Sequence, residues 1–344
     1  VCPAQKGVRD IGLIGTLLDE RFRVGRKVGA GAMATVFEGK DEKSDETVAI
    51  KVLKPPLAAE ETLRKRFERE YEVCSRLKHS NIIQVFGAGL INDKIPYSVL
   101  EYLPFPTLAE TVKNRGPLLP PEVAKIMFCL ADALAHCHER DIIHRDIKPS
   151  NVIYCQDRRV VLVDFGLTLD QAAITKLTAA GKTLGTLPYM SPEQFKAQKV
   201  DGRSDVYQLG LLGFELLTGR RAFPQKNTEE LVKHVFNVGI PDILEFAPKT
   251  RASMVEFIER CTEPHVEERF ASAKELLKEL AAMGPFPQVV KEEELELEGK
   301  VSKERLRDTV SPSYEAKCKP KLPWAVFLCV SILLLIMLLL YVLP

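Results

Sequence analysis

Net charge is the first thing this sequence lacks: 48 lysines and arginines stand against 47 aspartates and glutamates. So close a balance gives no global basic field for nucleic acid and no acidic excess of the kind that keeps a chain disordered. Glycine and proline are sparse as well, 20 and 22 residues out of 344, well under the ~25–30% of low-complexity chains. The eight cysteines, at positions 2, 74, 129, 137, 155, 261, 318 and 329, include no C-x-x-C pair. They read as reduced, mostly buried thiols of a cytosolic domain, not as a disulfide framework. The N-terminus has no basic stretch followed by an apolar core, so no signal peptide is expected. Internal repeats of about 20–50 residues are absent too.

What is present is a chain long enough for two ordinary domains or one large two-lobed unit, with 46% hydrophobic residues to fill its cores. Residues 1–20 read as a lead-in. Residues 21–103 alternate apolar and polar positions between glycine-rich and charged turns, with one helical stretch at 58–77, which predicts a small sheet plus one helix. Residues 104–284 are mostly helical in pattern, and 285–322, with the glutamate run KEEELELE, read as a solvated linker. From Trp324 to Leu343 no residue is charged. Twenty residues at ~1.5 Å each reach about 30 Å, the thickness of a bilayer core, so a single span over 323–344 is expected.

Three clusters carry chemistry. Gly29-Ala30-Gly31-Ala32-Met33-Ala34-Thr35-Val36 is a glycine-rich turn whose backbone N–H groups can approach phosphate oxygens. A dinucleotide turn would open a helix, but Val36-Phe37-Glu38 continues as strand. Lys51 then sits inside the apolar run Val-Ala-Ile-Lys-Val-Leu and needs a partner or ligand. Leu63, Phe67, Glu70, Cys74 and Leu77 fall at helical spacing, which puts the Glu70 carboxylate on an inward stripe as that partner. The third cluster is His144-Arg145-Asp146-Ile147-Lys148-Pro149-Ser150-Asn151, followed by the apolar strand Val160–Val163 and Asp164-Phe165-Gly166. A hairpin about the turn Gln156–Arg159, with Cys155 paired to Val160, would place Asn151 opposite Asp164 as a hard-oxygen site for Mg²⁺ shared with phosphates. His136-Cys137-His138 looks like a metal motif, but Val123, Met127, Leu130, Leu134 and Cys137 make one core stripe, so packing is the better reading.

Taken in order, GAGAMATV, VAIK, Glu70, HRDIKPSN, DFG and Ser191-Pro192-Glu193 resemble the signature set of the eukaryotic-type serine/threonine protein kinases, and more closely their membrane-anchored bacterial members. The resemblance implies an α+β, two-lobed fold: a small β-rich N-lobe with one helix and hinge over 21–103, a larger helical C-lobe over 104–284, and the C-terminal transmembrane helix. It also implies ATP as substrate and Mg²⁺, with Mn²⁺ as the alternative ion. Gly29 and Gly31 would cover the phosphates, Val36 would join them in binding ATP, Ala49 would lie on the pocket roof, and Lys51, paired with Glu70, would hold the α- and β-phosphates. Leu100 resembles the gatekeeper, and the main chain of Glu101 and Leu103 would meet the adenine edge. Asn151 and Asp164 fill the metal-ligand positions, Asp146 that of the catalytic base and Lys148 that of the residue neutralising the transferred phosphoryl group. Lys148 and Thr186 favour Ser/Thr over Tyr hydroxyls on protein substrates, with Thr186 bridging Asp146 and Lys148. Asp205 and the Glu193–Arg269 pair take structural roles. The chain departs from the pattern at Ala34, which stands where a third loop glycine is expected. Alanine there resists positive φ and brings a methyl toward the phosphates.

Arg145 beside Asp146 suggests control by phosphorylation, since a phosphate could satisfy its cation. Among the threonines between Asp164 and Glu193, Thr175, Thr178 and Thr183 are the expected autophosphorylation sites, reached in trans through a homodimer. Trp324 and Tyr341 border the apolar segment, and Lys317, Lys319 and Lys321 precede it, so residues 323–343 should anchor the chain in the cell membrane with the kinase on the cytoplasmic side. Two other classes remain: an ATP-binding scaffold without transfer, against which the full set of charged positions speaks, and a small-molecule kinase, which the Ser191-Pro192-Glu193 segment disfavours.

Overall fold

The computed structural model describes residues 12–31, 33–165, 187–225 and 227–284. Alternating apolar residues over the first third of the chain build a six-stranded antiparallel sheet in the order β1-β2-β3-β4-β6-β5. Its strands are β1 (Leu17–Leu18), β2 (Phe22–Ala30), β3 (Ala34–Asp41), β4 (Thr47–Leu53), β5 (Val85–Ile91) and β6 (Ile95–Glu101). One face buries Phe22, Val24, Phe37, Val48, Ile50, Tyr97 and Val99. The core of this lobe starts before residue 21: Leu13 and Leu18 belong to the same cluster, and the Tyr97 hydroxyl donates to Asp19 at 2.5 Å.

Two helices, where one was expected, cross between β4 and β5. The one-turn α1 (Pro55–Ala58) is started by prolines in its first turn, whose missing N–H groups cost nothing there. Glu60, with extended φ −87° and ψ 109°, then interrupts the helical path before α2 (Glu61–Cys74). The periodicity of 58–77 covers α2, but Leu77 lies beyond its end. Ala34 lies in a strand, pairs with Leu53, and packs with Leu57 and Phe67. It is not among the described residues with positive φ. The backbone penalty expected for alanine there does not arise, because strand geometry needs no positive φ, and its side chain joins an apolar cluster.

The second lobe is helical. Its elements are α3 (Leu108–Arg115), α4 (Pro120–His138), the hairpin β7 (Val152–Tyr154) and β8 (Val160–Leu162), α5 (Pro192–Phe195), α6 (Gly202–Thr218), α7 (Thr228–Asn237), α8 (Ile243–Phe246), α9 (Ala252–Cys261) and α10 (Ala273–Ala282). The stripe Val123, Met127, Leu130, Leu134 and Cys137 of α4 is wholly buried, as its spacing requires. Each such side chain contributes ~1.5–3 kcal/mol. Helix α6 runs through the centre, and Gly213 lets it approach Met127, whose sulfur would lie 2.6 Å from an added Cβ. Gly219, in the left-handed conformation at φ 70°, ends that helix.

The lobes join through more than the hinge. Asn81 lies between the helices and β5, yet its Nδ2 donates to Val160 O (2.7 Å) and its carbonyl accepts from Leu162 N (2.9 Å). Ile83 N donates in turn to Leu162 O at 3.0 Å. The β7–β8 hairpin is thus held from the N-lobe side. Linker and apolar segment, 285–344, lie outside the described residues, and among the described residues no helix is long and apolar enough to cross a membrane.

At the base of the C-lobe, Arg269 donates to Glu193 through both terminal nitrogens at 2.9 and 3.0 Å, and its Nε donates to Glu263 O at 2.7 Å. Both side chains are buried, and Ser204 also donates to Glu193. Burial raises the Glu193 pKa, but Arg269 and Ser204 outweigh it and the net shift is downward. A lowered carboxyl stabilises the fold above its unfolded value, and that contribution disappears as pH falls through the lower folded value. Arg269→Met should cost about 3–5 kcal/mol at neutral pH, because it strands a buried carboxylate. Urea unfolding should show the gap to the parent closing as Glu193 is protonated on acidification.

Candidate active site

Strand β4 carries Lys51 toward the cleft between the lobes, and α2 supplies Glu70. Lys51 Nζ donates to Glu70 Oε1 at 2.8 Å and also to Asp164 Oδ1 at 2.9 Å. The second contact reaches 113 residues along the chain. Side-chain exposures of 16%, 18% and 30% for Lys51, Glu70 and Asp164 leave the three groups poorly solvated but Asp164 open on one side. Burial would lower the Lys51 pKa, but the carboxylates of Asp164 and Glu70 push it well above the ordinary range. Burial likewise works to raise Asp164, and Lys51 overcomes it and holds Asp164 down. Glu70 goes up, with desolvation as the largest cause. One cation therefore keeps Asp164 ionised and satisfies Glu70 only partly.

The loop after α4 carries the second group. Asp146 Oδ2 accepts from Lys148 Nζ at 2.7 Å and from Asn151 Nδ2 at 2.9 Å. Asp146 Oδ1 is buried and has no donor among the described residues. An orphaned carboxylate oxygen costs ~1–3 kcal/mol, which makes it a position for an incoming donor. Asn151 Nδ2 also donates to Asp146 O (2.9 Å), so the side-chain oxygen of Asn151 is the atom left to face an ion.

The hairpin register differs from the expectation by one residue. Tyr154, not Cys155, pairs with Val160, and Val163 N donates to Asn151 O at 2.9 Å. Asn151 therefore stands opposite Val163. Asp164 lies one position further on, with φ 54°, where the backbone has left the strand. A slip of one would turn a strand side chain to the other face. That rule does not govern Asp164, because the left-handed residue re-aims the carboxylate toward Lys51. Two hard-oxygen donors and a set of phosphates fit Mg²⁺, which takes one or two protein ligands. A complete cage of protein donors is absent: among the described residues no group of three or more His, Cys, Asp or Glu could hold a metal.

The remaining predicted residues fall around this centre. Gly29 pairs with Val36 and Ala30 with Thr35, and Gly31 N donates to Ala34 O at 2.6 Å to close the glycine-rich turn. Ala49 is buried opposite Leu100. The N–H of Glu101 is taken by Gln84 O at 2.9 Å, so its carbonyl is the main-chain group it can offer. Leu103 is buried with Leu100, Ile153 and Val161 in an apolar layer between hinge and hairpin. Thr175, Thr178, Thr183 and Thr186 lie outside the described residues.

Sequence reading missed several members of the site. Arg159, in the hairpin turn, donates to the Glu101 side chain. His138 is more than core filling, since its Nε2 meets Asp205 Oδ2 at 2.8 Å. Asp205 accepts from the backbone N–H of His144 (2.9 Å) and Arg145 (2.7 Å), fixing the loop before Asp146. Burial works to raise the Asp205 pKa, and the hydrogen bond from His138 leads the effects that bring it down. Nothing local in the sequence marks Arg159 or His138, because each meets the site only through the fold, whereas Asp205 takes the structural role expected of it. Replacing Lys51 by Met should leave two carboxylates sharing one space and drive uptake of a proton by the Glu70–Asp164 pair. A difference titration against the parent near neutral pH checks this; equal proton content would overturn it.

The chain has relatives among known proteins. The family model described as "Protein kinase domain" matches residues 22–280. The chain is 33% identical over 264 residues to the serine/threonine-protein kinase PrkC of Bacillus subtilis, covering 77% of this chain and 40% of that protein. It is 32% identical over 279 residues to the serine/threonine-protein kinase PknL of Mycobacterium tuberculosis, covering 81% of this chain and 69% of that one. Among solved structures it is similar to the PknI kinase domain of Mycobacterium tuberculosis, with a TM-score of 0.62 and 26% identity, covering 79% of this chain and 98% of that domain.

Proposed function

Because this chain belongs to the protein kinase family, we propose that it transfers the γ-phosphoryl group of ATP to serine and threonine hydroxyls of proteins. The observation that carries the reading is the Asp146 carboxylate: one oxygen is held by Lys148 and Asn151, and the other is buried without a donor. A substrate hydroxyl donating to that free oxygen is oriented for attack, and its proton has an acceptor as the new P–O bond forms. Lys148, next to the same carboxylate, supplies positive charge where the transferred group carries negative charge. Lys51, already held by Glu70 and Asp164, is placed for the α- and β-phosphates. Mg²⁺, held by Asn151 and Asp164, would supply charge neutralisation on the phosphates.

Autophosphorylation of Thr175, Thr178 and Thr183 and anchoring by residues 323–343 belong to the same proposal. It is supported by Arg145, whose Nε is buried without a partner among the described residues, and by the uncharged run Trp324–Leu343. The test uses the full chain, labelled ATP, Mg²⁺ or Mn²⁺, and a generic basic protein. The parent should label the acceptor, and Asp146→Asn should lose at least about 100-fold in kcat. Mixed with the parent, the inactive variant should be phosphorylated in trans at those threonines by mass spectrometry. No transfer by the parent would leave an ATP-binding scaffold as the reading, and three unmodified threonines would remove the autophosphorylation step. Alkaline extraction of membranes should leave the full chain in the pellet; release into the supernatant would refute the anchor.

A further inference from the structure

Helix α6 presents a second polar residue to the catalytic loop. Gln208 lies three positions after Asp205, one turn along the same helical face. It has no exposed surface and sits in a helix whose neighbouring residues Leu209, Leu211 and Leu212 are core. An amide placed there must find its hydrogen bonds inside the protein. Its Oε1 accepts from Ile147 N at 2.8 Å, and its Nε2 donates to Arg145 O at 3.0 Å. These two backbone groups lie immediately after and immediately before Asp146. The same Nε2 donates to Gln194 Oε1 at 3.0 Å, and Gln194 Nε2 donates in turn to Arg145 O at 3.1 Å. Gln194 Oε1 also accepts from Ser191 N at 2.9 Å.

The amide orientation follows from the partners, since an N–H lies on one side and a carbonyl on the other. The strain it holds is visible too: Arg145 has φ 68°, a conformation that costs a non-glycine residue about 1–3 kcal/mol and persists only when its surroundings fix it. Asp205 fixes the N–H side of Arg145, and the two glutamine amides fix its carbonyl. A buried glutamine needed only for core stability could bond any nearby groups. The contacts of Gln208 are with the two residues flanking the catalytic carboxylate and with Gln194, which touches the same carbonyl.

We propose that Gln208 is a positioning residue for phosphoryl transfer: its amide grips the backbone on both sides of Asp146, and through Gln194 it ties that grip to the Ser191–Gln194 segment. The inference rests on Asp146 acting as the base. Gln208 touches none of Lys51, Glu70 or Asp164 in its hydrogen bonds, so nucleotide binding should be spared and turnover lost.

The experiment measures kcat and KM for ATP in the full chain with labelled ATP and a generic basic protein. Gln208→Met, similar in length but unable to bond, should lower kcat about 10–100-fold with KM for ATP changed less than about twofold. Gln194→Met, which removes one of two donors to Arg145 O, should lower kcat less, about 3–10-fold. Wild-type kcat in folded Gln208→Met would overturn the proposal, and so would a rise in KM with kcat intact. If Gln208→Met fails to fold, Gln194→Met and native-state hydrogen exchange of the parent decide. The Ile147 amide, though in a loop, should then be protected as strongly as the interior of α6, and rapid exchange would refute the grip. Absence of transfer by the parent would instead refute the kinase reading itself.

Discussion

A single ammonium group, that of Lys51, is shared between a carboxylate of the helix above it and a carboxylate of the hairpin below it. Because the two acids come from different lobes, this cation ties the lobes together across the cleft. It also sets the charge of the cleft. Two carboxylates against one cation leave local negative charge, and Asp164 is the one held ionised while Glu70 is pushed up. In the proposed reading a divalent ion beside Asp164 would answer the remaining charge, and phosphates arriving with it would give Lys51 a further partner, by the positioning and electrostatics on which phosphoryl transfer relies.

The catalytic loop works by a different principle. Its backbone polar groups are tied by side chains: Asp205 takes the N–H groups of His144 and Arg145, while Gln194 and Gln208 take the Arg145 carbonyl and the Ile147 N–H. Burial pushes the His144 pKa down, and its Nδ1 accepts from Asp146 N at 3.3 Å. A loop ordinarily leaves such groups to water. Here they are bonded inside the protein, so the position of the Asp146 carboxylate is inherited largely from helix α6, which is itself mostly buried. Rigidity of the core is thereby delivered to the reacting group.

Expectation and structure parted where the chain leaves regular geometry. A hairpin register extrapolated from alternating residues was off by one, because Cys155 belongs to the turn, where Arg158 is left-handed at φ 66°, and turn geometry that no periodic pattern encodes sets the register. Ala34 was expected to strain the glycine loop; it lies instead in a strand and fills an apolar cluster. His138 shared a core helix with Cys137 and was read with it as packing, yet it holds Asp205.

Local chemistry made much of this protein legible from residue order alone. An ammonium in an apolar strand demanded a carboxylate, and helical spacing named Glu70. The stripe of α4 was readable because burial follows a period of 3.6. The ordered polar clusters identified a family because such residue types recur in that order only where a particular chemistry or a particular buried pair needs them. Only the tertiary structure could show that Lys51 also meets Asp164, that Asn81 holds the hairpin from the other lobe, and that Gln208 brackets Asp146. Those contacts join residues 113, 79 and 61 positions apart, and no local rule of propensity or spacing reaches across such distances. They are decided when the hydrophobic cores fix which surfaces face each other, and the buried polar groups left between them must then find partners.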